Sequence, residues 1–389
     1  MGEGLTGDLL LAAGVIAVLT LFVCGRYLPL PTAVFVSGVK ALIPLIYFAY
    51  FYDGTWHFLD DQTYFLQGRE MLARGYSPLT ALSDPEAVTH LMVLVNGPHI
   101  LYVWWNILAQ FLFGPHYFSA VFLNVFLTVL CGAVFYKVIL RLEFPASYAR
   151  AFLVFFLLQW DILAWSSLIN LKDILIMLLT ALALLSFMRF VLERSPLPLL
   201  YLTLTLVSLF FIRYYVIGIL AGTVLVWWLL KKDFARQLLL APLLLLALYL
   251  FLPPAWMTQA SSHGLGKEIF FQFIRFIGTP LPWSVAEATS FLTVLAVIHW
   301  VFLAPMILAG IKLWQEYPMG RLLLLYVLIG ACFYALFSEL VGPRQRVQFV
   351  PVLAWAQFHF LWMLSQRKLL TLLSTRRLKL EYRATALPT

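Results

Sequence analysis

The chain has 389 residues, of which 63% are hydrophobic and 11% charged, with a formal net charge of +8. A soluble domain carries roughly a quarter charged residues, and no soluble interior would hold this much apolar side chain; disorder, which needs low hydrophobicity and high charge, is excluded as well. The apolar residues fall in blocks of about 17 to 25, the length an α-helix needs to cross ~30 Å of hydrocarbon, rather than in the ~10-residue alternating segments of an outer-membrane barrel. The reading is an all-α, multi-pass integral membrane protein, one membrane domain over residues 1–389.

In chain order, membrane helices are expected at about 8–25, 33–52, 116–139, 147–165, 172–192, 197–212, 214–230, 237–253, 289–311, 321–340 and 347–366, eleven in all. Lys40 falls near the middle of the second, so that helix has an alternative start after Lys40, with 27–39 on the membrane surface. No Lys or Arg precedes the first apolar run, unlike a cleavable signal peptide. Cys24, Cys131 and Cys332 each sit inside an apolar block and make neither a disulfide framework nor a zinc site. The basic residues are spread over short loops and the C-terminal tail, which fits the positive-inside rule and not nucleic-acid binding.

Placing the basic tail 367–389 in the cytoplasm puts most Lys and Arg there and leaves Arg69, Arg74, Lys172, Arg213, Lys267, Arg275, Arg344 and Arg346 outside. Two stretches, 53–115 and 254–288, then face outward and are too long to be mere connectors. In the first, residues 61–74 read as a surface helix. Tyr64, Phe65, Gly68, Met71 and Leu72 share one face, and Thr63, Gln67, Glu70 and Arg74 the other. Residues 100–113 are apolar and aromatic but short for a span, so an outer-face juxtamembrane helix is expected there. In the second stretch, Phe270, Phe273, Ile274 and Ile277 form the apolar stripe of an in-plane helix, a passive surface helix or a lid.

The sharpest feature is Asp60-Asp61 at the start of the first surface helix, just after a span. One Asp would suffice for a cap; a carboxylate pair at a membrane surface, with Tyr64 one turn on, suggests chemistry. Lys172-Asp173 opens a span, and Asp161 lies inside an apolar run, where an ionisable residue is a functional candidate. Arg213, Arg344 and Arg346 fall at outer helix ends, where a guanidinium serves either as an interface anchor or as a two-pronged phosphate ligand. The outer histidines have no metal-ligand spacing, but hard cations such as Mg or Mn prefer carboxylate oxygen, so Asp60 and Asp61 are the candidate metal ligands.

Asp60-Asp61-x-x-Tyr64, followed by Gly68-Arg69 and Ala73-Arg74-Gly75, resembles the acidic motif in the first outer loop of the GT-C glycosyltransferases. The closest branch holds the protein O-mannosyltransferases and the lipid A aminoarabinose transferase. Gly97-Pro98-His99 through Phe113-Gly114, Asn170-Leu171-Lys172-Asp173, Phe211-Ile212-Arg213-Tyr214-Tyr215, and Arg344-Gln345-Arg346 with Pro351 resemble its later landmarks, in order, over residues 50–365. The sequence departs from the family in having Asp61 where Glu is common, Gln348 where Pro is frequent, an extra N-terminal span, and no large C-terminal extramembrane domain.

The resemblance implies a GT-C fold and an inverting transfer of a sugar from a polyprenyl-phosphate carrier to a lipid, glycan or protein hydroxyl. The implied setting is the outer face of a bacterial inner (plasma) membrane. Asp60 would be the general base, and Asp61 would orient the acceptor or help hold a divalent metal. Arg213, Arg344, Arg346 and Lys172 would bind the donor phosphate, with Asp173, Tyr64 and Asp161 in support. Competing readings are a polysaccharide polymerase or ligase with a diphosphate-linked donor, a lipid-sugar transporter or flippase, and a non-catalytic subunit of a glycan-export complex. Against a transporter, the chain shows no internal repeat, and its candidate charges lie at one face.

Overall fold

The computed structural model describes residues 3–54, 59–97, 99–193, 195–230, 267–279, 281, 283, 292–337 and 342–366. The expected helix 237–253, the tail 367–389 and most of 254–288 lie outside these residues, as do His57 and Pro98. Every regular element among the described residues is helical. Among the described residues, seven helices are long and apolar enough to cross a membrane, or up to nine if two bent pairs each count as one span.

The helices are α1 (Glu3–Cys24), α2 (Leu30–Ile46), α3 (Leu59–Ala73), α4 (Thr80–Ser83), α5 (Pro85–Val95), α6 (Ile100–Phe113), α7 (Tyr117–Arg141), α8 (Ala146–Leu158) and α9 (Trp160–Ser167). They continue with α10 (Lys172–Glu193), α11 (Pro196–Arg213), α12 (Tyr215–Leu229), α13 (Lys267–Gly278), α14 (Leu292–Glu316) and α15 (Gly320–Ala335). The last helix, α16 (Pro343–Gln366), has a tighter 3-10 stretch at Val347–Phe349.

Helix α7 is the axis of the bundle. Its apolar window is 83% buried against 22% for α14, and α1, α6, α8 and α10 pack around it. At 25 residues it is about 37 Å long, enough to cross the hydrocarbon with some tilt. The outer helices turn large apolar side chains outward, among them Val18, Phe22 and Phe35 on α1 and α2 and Val294, Val301 and Leu308 on α14. A surface this apolar suits lipid, not water.

Three sequence expectations change. First, the second span does not start after Lys40. It begins at Leu30, behind Pro29, and carries Lys40 fully buried, with Nζ donating to Thr128 Oγ1 at 3.0 Å. An ammonium in a span turns to the bundle interior, where a polar partner compensates it. Pro44 and a π-helical turn at Tyr47–Phe51 then loosen the helix end.

Second, the expected helix 147–165 is broken. Gln159 is extended, its side chain accepts from Ile162 N at 2.9 Å, and α8 and α9 meet at 46°. This polar residue therefore starts a new helix instead of continuing the old one, and it places Asp161 in the first turn of α9.

Third, α5 stands within the stretch 53–115, where the sequence suggests helices only at 61–74 and 100–113. Asp84 caps it by accepting from Glu86 N at 2.9 Å, Pro85 occupies its first turn, and Asn96 ends it at φ 43. The helix direction turns by 113° from α5 to α6, so 85–113 forms a bent pair.

The surface helix α3 keeps its expected faces. Tyr64, Phe65, Gly68 and Met71 are buried, while Thr63 and Arg74 are exposed. A Cβ on Gly68 would lie 2.7 Å from Gln110 Nε2 and 3.0 Å from Asn106 Cβ, so glycine lets α3 rest directly on α6. In α13 the expected stripe is split: Phe273 and Ile277 pack against the core beside the buried Phe276. Phe276 stacks on Tyr334, while Phe270, Phe271 and Ile274 point outward.

Candidate active site

Four helix ends meet at one end of the bundle. The first turns of α3, α10 and α16 bring Asp60 and Asp61, Lys172 and Asp173, and Arg344. The last turn of α11 brings Arg213. Asp60, Asp61 and Asp173 at helix starts and Arg213 at a helix end complement the peptide dipoles, whereas Lys172 and Arg344 at helix starts do not and depend on the neighbouring carboxylates and polar groups.

Arg344 is the hub. Its Nη2 donates to Asp60 Oδ2 at 2.8 Å and its Nε to Asp173 Oδ2 at 3.0 Å. Arg213 Nη1 donates to the other oxygen of Asp173 at 2.5 Å. The side chain of Asp173 is fully buried and that of Arg344 is 15% exposed, whereas Asp60 is 43% exposed. The chain of charges thus runs from the interior to an accessible carboxylate. Burial opposes ionisation of Asp60, but the Arg344 guanidinium outweighs it and holds the carboxyl below its usual range.

Lys172 extends the cluster. Its Nζ donates to Tyr64 OH at 2.5 Å and lies 3.2 Å from His99 Nε2. His99 Nδ1 meets the Ile212 carbonyl at 2.9 Å, which assigns the proton to Nδ1 and leaves Nε2 to accept from Lys172. Burial, with Lys172 beside it, pushes His99 down to about 4. Burial also raises Tyr64, so its phenol is a donor at neutral pH. Two guanidinium groups (Arg344 and Arg213) thus face two carboxylates (Asp60 and Asp173), and the Lys172 amine stands beside them.

The neighbouring acid points elsewhere. Asp61 is fully buried, accepts from Gln62 N at 2.7 Å, and receives the Tyr117 hydroxyl on Oδ2. Beneath it Asn170 donates to the Asp61 carbonyl at 3.2 Å and to Asn106 Oδ1 at 2.7 Å, and accepts from Tyr102 at 2.6 Å. Tyr102 also accepts from Asn124 at 2.9 Å. These groups lock the first turn of α3 to α6, α7 and the start of α10. The carboxylates of Asp60 and Asp61 therefore serve different partners. Among the described residues no group of three or more His, Cys, Asp or Glu is placed to hold a metal.

The structure separates Arg346 from Arg344. Residues two apart would face one ligand on an extended turn but diverge on a helix, and Pro343–Arg346 is helical. Arg346 is 2% exposed and turns to the Thr279 carbonyl, to His299, and to Asp161, whose Oδ1 lies 3.8 Å from Nη2. Asp161, bonded by Gln159 Nε2 at 3.2 Å, belongs to this second group and not to the Asp60 cluster.

Of the residues the sequence singles out, the structure brings Asp60, Tyr64, Lys172, Asp173, Arg213 and Arg344 together, sets Asp61 behind them, and turns Asp161 and Arg346 elsewhere. Sequence reading misses Tyr102, Asn106, Tyr117 and Asn124, although polar residues inside apolar helices are a signal for such partners. Compared with known proteins, the chain matches no family model, no curated protein and no solved structure.

Proposed function

We propose that this chain is an integral-membrane glycosyltransferase of GT-C type. In this reading it moves a sugar from a polyprenyl-phosphate donor to an acceptor hydroxyl, with inversion, at the outer face of a bacterial plasma membrane. The observation that carries the reading is the half-exposed Asp60 at the start of a juxtamembrane helix, bridged by Arg344 into a cluster rich in buried cations.

Asp60 is the base. It takes the proton of the acceptor hydroxyl as that oxygen attacks the anomeric carbon, and the carbon–oxygen bond to phosphate breaks with its electron pair leaving on the carrier phosphate. The charge that grows on the leaving phosphate needs fixed donors, and the guanidinium of Arg344 is one. Arg344 already holds Asp60, so donor phosphate competes with Asp60 for it. When phosphate takes those donors, Asp60 loses the cation that held its carboxyl low and becomes a stronger base. Donor binding and base activation are thereby coupled through one side chain. Lys172, steered by Tyr64 and neutral His99, supplies a second cation, and Arg213 holds Asp173 so that Arg344 stays in place. No step is assigned to a metal.

The test is sugar transfer by the purified full chain, assayed with a panel of polyprenyl-phosphate and polyprenyl-diphosphate sugars. Transfer from a monophosphate-linked donor supports the reading. Transfer from diphosphate-linked donors alone would replace it with a polymerase or ligase. Passage of lipid-linked sugar across the bilayer without transfer would replace it with a flippase.

A further inference from the structure

A second feature lies apart from the Asp60 cluster and shares none of its residues. A cavity of ≈ 320 Å³, within the range of small-molecule pockets, runs along α14 and is bordered by His299, Ile307, Gly310 and Trp314, with Arg346 and Phe349 of α16 across from them. From His299 to Trp314 the helix rises by roughly 22 Å, most of the hydrocarbon thickness of a bilayer. Its rim includes Ile307 and Leu328, 51% and 42% exposed, so the groove opens sideways onto the apolar belt that faces lipid.

The groove is apolar along its length, with Gln315 at the Trp314 end and its buried polar groups, Arg346 and His299, at the other. There Arg346 is buried, with Nη1 on the carbonyls of Thr279 and Ile277, the latter at 3.3 Å, and 3.1 Å from His299 Nε2. Its Nε and Nη2 have no hydrogen-bond partner among the described residues; Nη2 is ion-paired with Asp161 Oδ1 at 3.8 Å, too far for a hydrogen bond, so an incoming anion would share this arginine with Asp161. His299 Nε2 lies 2.7 Å from the Ile277 carbonyl, which makes it the donor and leaves Nδ1 a buried acceptor without a donor among the described residues. Buried polar groups are rarely left unmatched. The unmatched set is two guanidinium nitrogens, Nε and Nη2, beside one acceptor, at the head of a lipid-facing apolar groove. That set calls for an anion carrying a hydroxyl, on a hydrocarbon chain.

We propose that this groove binds an anionic, hydroxyl-headed phospholipid of the surrounding bilayer, with one acyl chain along α14, its phosphate on Arg346 and a head-group hydroxyl on His299. The phosphate takes Nε and Nη2 in the forked geometry that suits guanidinium. The occupant is distinct from the donor of the proposed transfer reaction, and the inference does not depend on that reaction.

The experiment uses the delipidated full chain in nanodiscs of phosphatidylcholine doped with phosphatidylglycerol, either lipid carrying brominated acyl chains. Bromine quenches tryptophan on contact, and the signal of Trp314 is the difference between wild type and Trp314→Phe. We expect brominated phosphatidylglycerol to quench Trp314 at roughly one tenth the mole fraction that brominated phosphatidylcholine needs, the scale of one charge-assisted hydrogen bond. Arg346→Gln should erase that preference. Gly310→Leu plugs the groove independently, because a Cβ there meets only Leu324 Cδ2, at 4.0 Å; it should protect Trp314 from both lipids. Equal quenching by the two lipids in wild type overturns the proposal, as does a preference that survives Gly310→Leu. Displacement of the bromolipid by polyprenyl phosphate, but not by unlabelled phosphatidylglycerol, would assign the groove to a carrier lipid and also overturn it.

Discussion

Removing the Arg344 side chain separates the stabilising half of the cluster from the working half. Arg344 donates to two carboxylates in different surroundings, Asp173 fully buried and Asp60 43% exposed. In Arg344→Gln the buried Asp173 loses one charge-assisted bond and keeps that from Arg213, a loss of about 1.5–3 kcal/mol. The Asp60 side is screened by solvent and contributes at most about 1 kcal/mol. Double-mutant cycles with Asp173→Asn and Asp60→Asn, read by denaturant unfolding of the detergent-solubilised chain, should give coupling to Asp173 in the first range and to Asp60 in the second. The activity readout should reverse that order if Asp60 is the base of the proposed transfer.

The pH dependence of Arg344→Gln follows with a definite sign. Arg344 holds the Asp60 carboxyl below its usual range, so its loss lets that carboxyl rise, and the acid limb of the rate profile should move to higher pH. The small stability that Asp60 contributes is present above its unfolded-state value and is lost as pH falls through the depressed folded value. A larger coupling to Asp60 than to Asp173, or an acid limb that stays where it is, would refute the assignment of Arg344 as the hub.

Other consequences are independent of that cycle. His99 is pushed down to about 4 from an ordinary 6.5, so the unfolded chain binds its proton first. Stability should therefore fall as pH drops from about 6.5 toward about 4, and His99→Gln should flatten that slope in thermal unfolding. Gly68→Leu drives a side chain into Gln110 and Asn106 and should destabilise by about 1–3 kcal/mol, with turnover lost because α3 carries Asp60; unchanged melting would show that α3 does not rest on α6 as described. A single cysteine at the exposed Ser83 should react with an impermeant thiol reagent in intact cells; labelling only after permeabilisation would put the cluster on the cytoplasmic side and remove the proposed setting.

Much of the bundle is readable because one strong signal, a long apolar run, marks each span. The faces of α3 are readable for the same reason, since Tyr64, Phe65, Gly68 and Met71 recur at helical spacing. The convergence of Asp60, Asp173, Arg213 and Arg344 is less direct: these residues are up to 284 positions apart, and only their common end of the membrane hints that they meet. Arg346 shows the limit. Two arginines in a three-residue motif look equivalent, yet a single helical turn sends one to Asp60 and the other to Asp161. The break at Gln159 is hidden because its cause is a side-chain bond to Ile162 N, not a proline or glycine. Helix α5 was missed although Asp84-Pro85 is a regular start signal, because its apolar residues are too few to stand out beside the spans.

The most direct test of the central claim is transfer by the full chain in liposomes, comparing wild type with Asp60→Asn against a panel of polyprenyl-phosphate sugars. Asparagine keeps the size of the side chain but cannot take a proton from the acceptor. The account expects transfer from at least one donor in wild type and a loss on the order of 10²–10⁴-fold in the variant, with donor binding and melting temperature retained. Wild-type turnover in Asp60→Asn would contradict it.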